Sequence, residues 1–192
     1  MYAILALLLS PVSAAPVTPP SEEPASFTWP RNPTLGGWWN QAPTVRLCTE
    51  SGVRESRVRR ALGVWERMGY QFGPVVVDDG SLICRHGGIT GEIIIILPNH
   101  GAPIGKNIAL ARTMKDTETG EILRAQIFIT PHGGEKLLVL EHEIGHALGW
   151  RHHMERYHLM NPSWPQIGHN SKGLTWAKYE EEMERIRAPG RD

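Results

Sequence analysis

An α+β or α/β sandwich with a small mixed sheet is what this sequence predicts, and three observations predict it. Short β-branched runs, TVRLC at 44–48 and IIIIL at 93–97, are separated by stretches with helical periodicity. The run at 93–97 has no polar position and is bounded by Gly91 and Pro98, which marks a strand covered on both faces and so central in a sheet. The order strand, helix, three or four strands, helix, loop, helix fits neither an all-α bundle nor an all-β sandwich. At 192 residues the chain has the length of one domain. Its 41% hydrophobic content and 7 Trp exclude a wholly disordered chain, and its net charge of zero leaves no electrostatic footprint for nucleic acid.

Residues 1–14 begin MYAILALLL, an uncharged apolar run shorter than the ~20 residues a spanning helix needs. The run fits the core of a secretory signal, with cleavage after Ala14 in the small-x-small stretch Val12-Ser13-Ala14. No Lys or Arg precedes it, and a buried N-terminal segment is the alternative. Residues 15–36 hold Pro16, Pro19, Pro20, Pro24, Pro30 and Pro33 and read as a spacer or a short pro-segment. The folded domain is expected over residues 37–192, with no membrane span in the mature chain.

Within it, residues 44–48 are the first strand. Residues 51–68 place Val53, Val58, Ala61, Leu62, Trp65 and Met68 at helical spacing, an amphipathic helix ended near Gly69. Strands follow at 72–77, 93–97, 108–113 and 122–130, the last two separated by turn residues Asp116 to Gly120. Residues 135–149 form a helix with Leu137, Leu140, Ile144 and Leu148 as its buried stripe. Residues 175–187 form the last helix, with Trp176, Tyr179, Met183 and Ile186 on one side and Glu180-Glu181-Glu182 as a solvated face. Cys48 and Cys84 are the two cysteines. They read as a disulfide in an exported chain and as separate buried thiols otherwise.

Seven of the 9 His lie between His132 and His169, around His142-Glu143-Ile144-Gly145-His146-Ala147-Leu148-Gly149-Trp150-Arg151-His152. His142 and His146 are one helical turn apart, so both rings leave the same face and can share one divalent ion. Zn²⁺ suits nitrogen donors at ~2.0–2.1 Å. A continuing helix would carry the third ligand, His152, to the far side. Gly149 resolves this by ending the helix in a left-handed conformation. Three protein ligands leave a position open for water, and Glu143 beside the first ligand is placed to act on that water as general base. Composition alone produces this pattern with a chance on the order of 10⁻⁴, too small for a merely His-rich helix to be the better account.

HEIGHALGWRH resembles the HExxHxxGxxH zinc consensus of the metzincin metallopeptidases. His158-Leu159-Met160-Asn161-Pro162 is similar to the Met-turn of the matrixin branch, and residues 109–111 and 125–129 resemble that branch's last strands. The resemblance implies a zincin-like fold: a twisted five-stranded mixed sheet with an antiparallel edge strand at 108–113, an active-site helix, a Met-turn and a C-terminal helix. It implies a secreted zinc endopeptidase, monomeric, acting on protein or peptide substrates. His142, His146 and His152 would be the ligands of one catalytic Zn²⁺, Glu143 the base, Gly149 the turn and Met160 the apolar floor. Ala109, Ala111, Pro162 and Trp164 would line the substrate cleft. No match to a structural zinc site or a calcium loop is found; His86, His100 and His132 read as loop histidines, and there are only four Asp. His153 is a competitor for the third ligand position, and Tyr157 is a candidate oxyanion donor or a surface residue. Two other readings remain open: a catalytically silent zinc-containing binding or toxin-like module, and a hydrolase of cell-wall peptides.

Overall fold

The β-branched runs pair into one five-stranded sheet: β1 (Thr44–Cys48), β2 (Val75–Asp78), β3 (Glu92–Ile96), β4 (Ala109–Lys115) and β5 (Ile122–Ile129). The structure, a computed structural model, describes residues 32–98 and 107–188. The expected signal at 1–14, most of the stretch 15–36, and His100 lie outside the described residues. The strand order is β2-β1-β3-β5-β4, parallel throughout except that β4 runs antiparallel to β5 at one edge. β3 is central and buried along its whole length, as its unbroken run of isoleucines demands. The strand starts at Glu92 and stops at Ile96; Leu97 is exposed and lies beyond it.

One face of the sheet carries the main core. Val45, Leu47, Ile93, Ile95 and Ile127 pack there against α1 (Glu55–Glu66), α4 (Val139–Ala147) and α5 (Trp176–Arg187). Each such side chain taken out of water contributes ~1.5–3 kcal/mol. The opposite face holds a smaller cluster of Cys48, Cys84, Ile94, Ile96 and Phe128. Over it lies α2 (Leu82–His86), which the sequence pattern did not announce; a disulfide joins its Cys84 to Cys48 at the end of β1.

Two helices differ from the periodicity reading. The stretch 51–68 yields helix only over Glu55–Glu66, because Gly52 at φ 68 ends a short 3₁₀ turn and the chain must restart. The stretch 135–149 divides. Pro131–Glu135 is a separate short helix, α3, capped by Thr130, whose hydroxyl accepts from the Gly133 N–H. Lys136 then turns extended, Leu138 takes φ 62, and α4 begins at Val139. Leu137 therefore leaves the apolar stripe and is 70% exposed, while Leu140, Ile144 and Leu148 stay buried. Arg57 of α1 steadies the break: Nε donates to the Gly134 carbonyl, Nη2 to the Lys136 carbonyl, and Nη1 and Nη2 grip Glu141 at 2.8 and 2.7 Å. At the C-terminus, Glu182 is buried against Arg185 and Lys178, so the acidic run is not wholly a solvated face.

Candidate metal centre

α4 points His142 and His146 into a cleft beneath β4, and three features fold the chain back to add His152. Gly149 at φ 106 reverses the direction, with its N–H on the His146 carbonyl and the Trp150 N–H on the Gly145 carbonyl. A Cβ at residue 149 would stand 2.1 Å from the Gly37 carbonyl oxygen, so only glycine fits on both counts. The segment before β1 then straps the turn: the Gly36 N–H donates to the Gly149 carbonyl and the Arg151 N–H to the Thr34 carbonyl. His152 follows directly, and one ring nitrogen from each of the three histidines lies within 4.8 Å of the others. His153 points elsewhere, packing its ring 4.5 Å from that of His158.

The hydrogen bonds fix which nitrogens face inward. His142 Nδ1 is 2.8 Å from the Leu159 carbonyl oxygen and His146 Nδ1 is 2.8 Å from that of Trp150. A carbonyl only accepts, so both Nδ1 atoms carry the proton and both Nε2 atoms present bare lone pairs. Those two Nε2 atoms are 3.1 Å apart. A hydrogen bond between them would need one doubly protonated ring, and burial opposes that. It pushes His142 down to about 4 and His146 down to about 3, and lowers His152 as well. Neutral rings with converging lone pairs repel one another unless a cation sits between them. The donor set therefore fits a divalent ion that accepts imidazole nitrogen, and Leu159 and Trp150 supply the carbonyls that orient its first two ligands.

Glu143 is buried beside this triad, and its Oε2 has no partner among the described residues. Burial raises its carboxyl to about 7, against the pull of the Ala111 backbone N–H. Beneath the rings, Met160 is wholly buried under α4. Gly145 makes room for it: a Cβ there would stand 2.3 Å from Met160 Sδ and 2.7 Å from Trp65 Cζ2.

The cleft has a volume of about 730 Å³, and Ala109, Ala111, Pro162 and Trp164 line it together with the three histidines and Glu143. β4 forms its upper rim and is an edge strand. Its register decides which main-chain groups are free. The Thr130 N–H bonds to the Ile108 carbonyl, so alternate pairs from there inward are bonded to β5, and Ala109, Ala111 and Thr113 turn their N–H and C=O outward. Tyr157 does not line the cleft. It sits at φ 64, half exposed under the Arg156 guanidinium. His86 and His132 are exposed on α2 and α3 and join no cluster of potential ligands among the described residues.

Sequence reasoning passed over His158, Leu159 and Trp150 as supports of the site. Two of these act through main-chain carbonyls, which leave no residue signature, and His158 lay too far from the zinc-type spacing to be counted. No family model matches the chain, and no curated protein matches it.

Proposed function

We propose that this chain is a secreted zinc-dependent metalloendopeptidase with a metzincin-like, matrixin-type fold, cutting internal bonds of proteins or peptides. The observation that carries the reading is the pair of bare Nε2 lone pairs 3.1 Å apart, next to His152 and a buried carboxyl oxygen without a partner. His142, His146 and His152 would hold the ion, and bound Zn²⁺ supplies Lewis acidity toward a carbonyl and lowers the pKa of water. The remaining chemistry belongs to the chain. Glu143 Oε2 takes a proton from the attacking water and returns it to the leaving amine nitrogen, and its burial, which favours the protonated form, helps it hold that proton between the two transfers. The outward N–H and C=O groups of Ala109 and Thr113 and the outward C=O of Ala111, whose N–H faces Glu143, align an extended substrate backbone across the rim. Pro162 and Trp164 wall the pocket on the opposite side. The Cys48–Cys84 bond supports an oxidising compartment outside the cytoplasm.

The test uses purified zinc-loaded protein and a quenched peptide library, with and without a chelator. Chelator-sensitive cleavage is expected. Glu143→Gln is expected to keep its zinc and lose turnover by ~10²–10⁴-fold. Zinc-loaded wild type that cleaves no peptide, or a variant as active as wild type, would sink the reading.

A further inference from the structure

The cleft is electrically lopsided. One end, around Val139, Pro162, Trp164 and Ile167, is largely apolar. The other end, past Thr113, holds Lys115 and Arg151, and Glu143 is the only carboxylate among the residues lining the cleft. Both cations converge on one glycine. Lys115 Nζ donates to the Gly36 carbonyl, and Arg151 lies so flat against Gly36 that a Cβ there would stand 2.9 Å from its Nε. Among the described residues neither side chain meets a carboxylate. Two like charges held side by side at the mouth of a cleft, with no anion between them, attract an anionic group from outside.

We infer that Arg151 and Lys115 form a carboxylate-selecting subsite, so that the chain prefers substrates with Asp or Glu shortly before the bond that is cut. This rests on the peptidase reading above and names its substrate class. The position follows from the strand. A peptide that joins the free edge antiparallel to β4, as β5 does on the other side, has its N-terminal residues toward Lys115. Glu143 lies against the Ala111 N–H, which places the reacting bond level with Ala111. Lys115 is four positions further along β4, roughly 13 Å at ~3.3 Å per residue. Arg151, beside His152 in the chain, lies against the same Gly36 that Lys115 bonds. The acidic side chain therefore belongs about two to four residues before the cut.

The experiment compares C-terminally amidated quenched peptides that differ only in Glu or Gln at each of those positions. Amidation removes the terminal carboxylate as a rival anion. Zinc-loaded wild type is expected to favour Glu by about 2- to 20-fold in kcat/KM, the span that one or two exposed ion pairs give. The preference should fade toward unity as salt rises from about 0.05 M to about 0.5 M. In the double variant Lys115→Gln/Arg151→Gln the Glu-to-Gln ratio falls to about one, and in Lys115→Glu/Arg151→Glu it falls below one. A second arm measures binding of the same peptides, fluorescently labelled, to zinc-loaded Glu143→Gln by anisotropy. If no peptide is cut, the peptidase reading fails, and the binding ratio alone still decides the subsite. Equal handling of Glu and Gln peptides in both arms overturns the inference. So does a double variant that lowers both peptides by the same factor, which would make the two cations merely structural.

Discussion

His158 shows how much of the site depends on a residue that does not face the cleft. It is fully buried, its Nδ1 accepts from the Met160 N–H at 3.1 Å, and its Nε2 donates to the Lys172 carbonyl at 3.0 Å. Leu159 lies between these anchors and gives its carbonyl to His142 Nδ1. His158 is thus a positioning residue that acts on the candidate metal site through the Leu159 carbonyl. His158→Phe keeps a ring in place but leaves one N–H and one carbonyl unpaired, a cost of ~1–3 kcal/mol in stability. Zinc affinity is expected to fall by ~10–100-fold, the range for loss of a ligand's orienting partner. Competition against a chromogenic chelator measures it. Wild-type affinity in the variant would show that the Leu159 carbonyl needs no such anchor. The three candidate ligands and Glu143 were legible in the sequence because helical spacing puts His142 and His146 on one face, Glu143 follows the first of them, and Gly149 marks the turn that brings His152 back. The carbonyls of Leu159 and Trp150 were not, because any residue supplies one.

At the scale of elements, strands were legible wherever β-branched residues ran together, and boundaries failed where the chain needed backbone freedom. The helix expected over 135–149 reads as continuous because its apolar periodicity runs through Leu137. Gly133 and Gly134 decide otherwise: a Cβ at 133 would stand 2.3 Å from the Ile108 carbonyl oxygen, and one at 134 would stand 2.7 Å from Val53 Cγ2. Close packing against Ile108, just before β4, and Val53, just before α1, overrides propensity there. The same competition gives a prediction inside α4. Gly145→Ala gains about 1 kcal/mol of helix propensity. It also drives a methyl group into Met160 and Trp65, and overpacking of a buried site costs ~1–3 kcal/mol. The packing term wins because Trp65 is pinned by its Nε1 donating to the Glu141 carbonyl and cannot step aside. A lower Tm is expected; an equal or higher Tm in calorimetry would show that Met160 relocates freely.

For the molecule as a whole, the burial of His142 and Glu143 and the partial burial of His146 make stability depend on pH in two opposed ways. His142 and His146 fold with pKa values pushed down to about 4 and about 3, from a usual 6.5. Below pH 6.5 the unfolded chain takes up protons that the folded chain refuses, so these histidines add stability as pH rises from about 4 to 6.5 and lose it on acidification. Glu143 works the other way. Its carboxyl is pushed up from 4.5 to about 7, so between those values the folded protein holds a proton that the unfolded chain has released, and stability falls as pH rises. Two histidines outweigh one carboxyl up to pH 6.5, after which only the carboxyl still titrates. Metal-free protein is therefore expected to be most stable at about pH 6–7. A cation held by the triad cancels the decline above that pH by stabilising the ionised Glu143, and at a thousandfold excess over Kd it adds ~4 kcal/mol. Other groups titrate in the same range, so the carboxyl is isolated by difference. In metal-free protein, Glu143→Gln should gain in Tm relative to wild type steadily from pH 4.5 to 7 and then level off. A difference that stays flat across that range would mean that Glu143 is already ionised in the metal-free protein, and that its buried, unpartnered oxygen is not what holds a proton near neutrality.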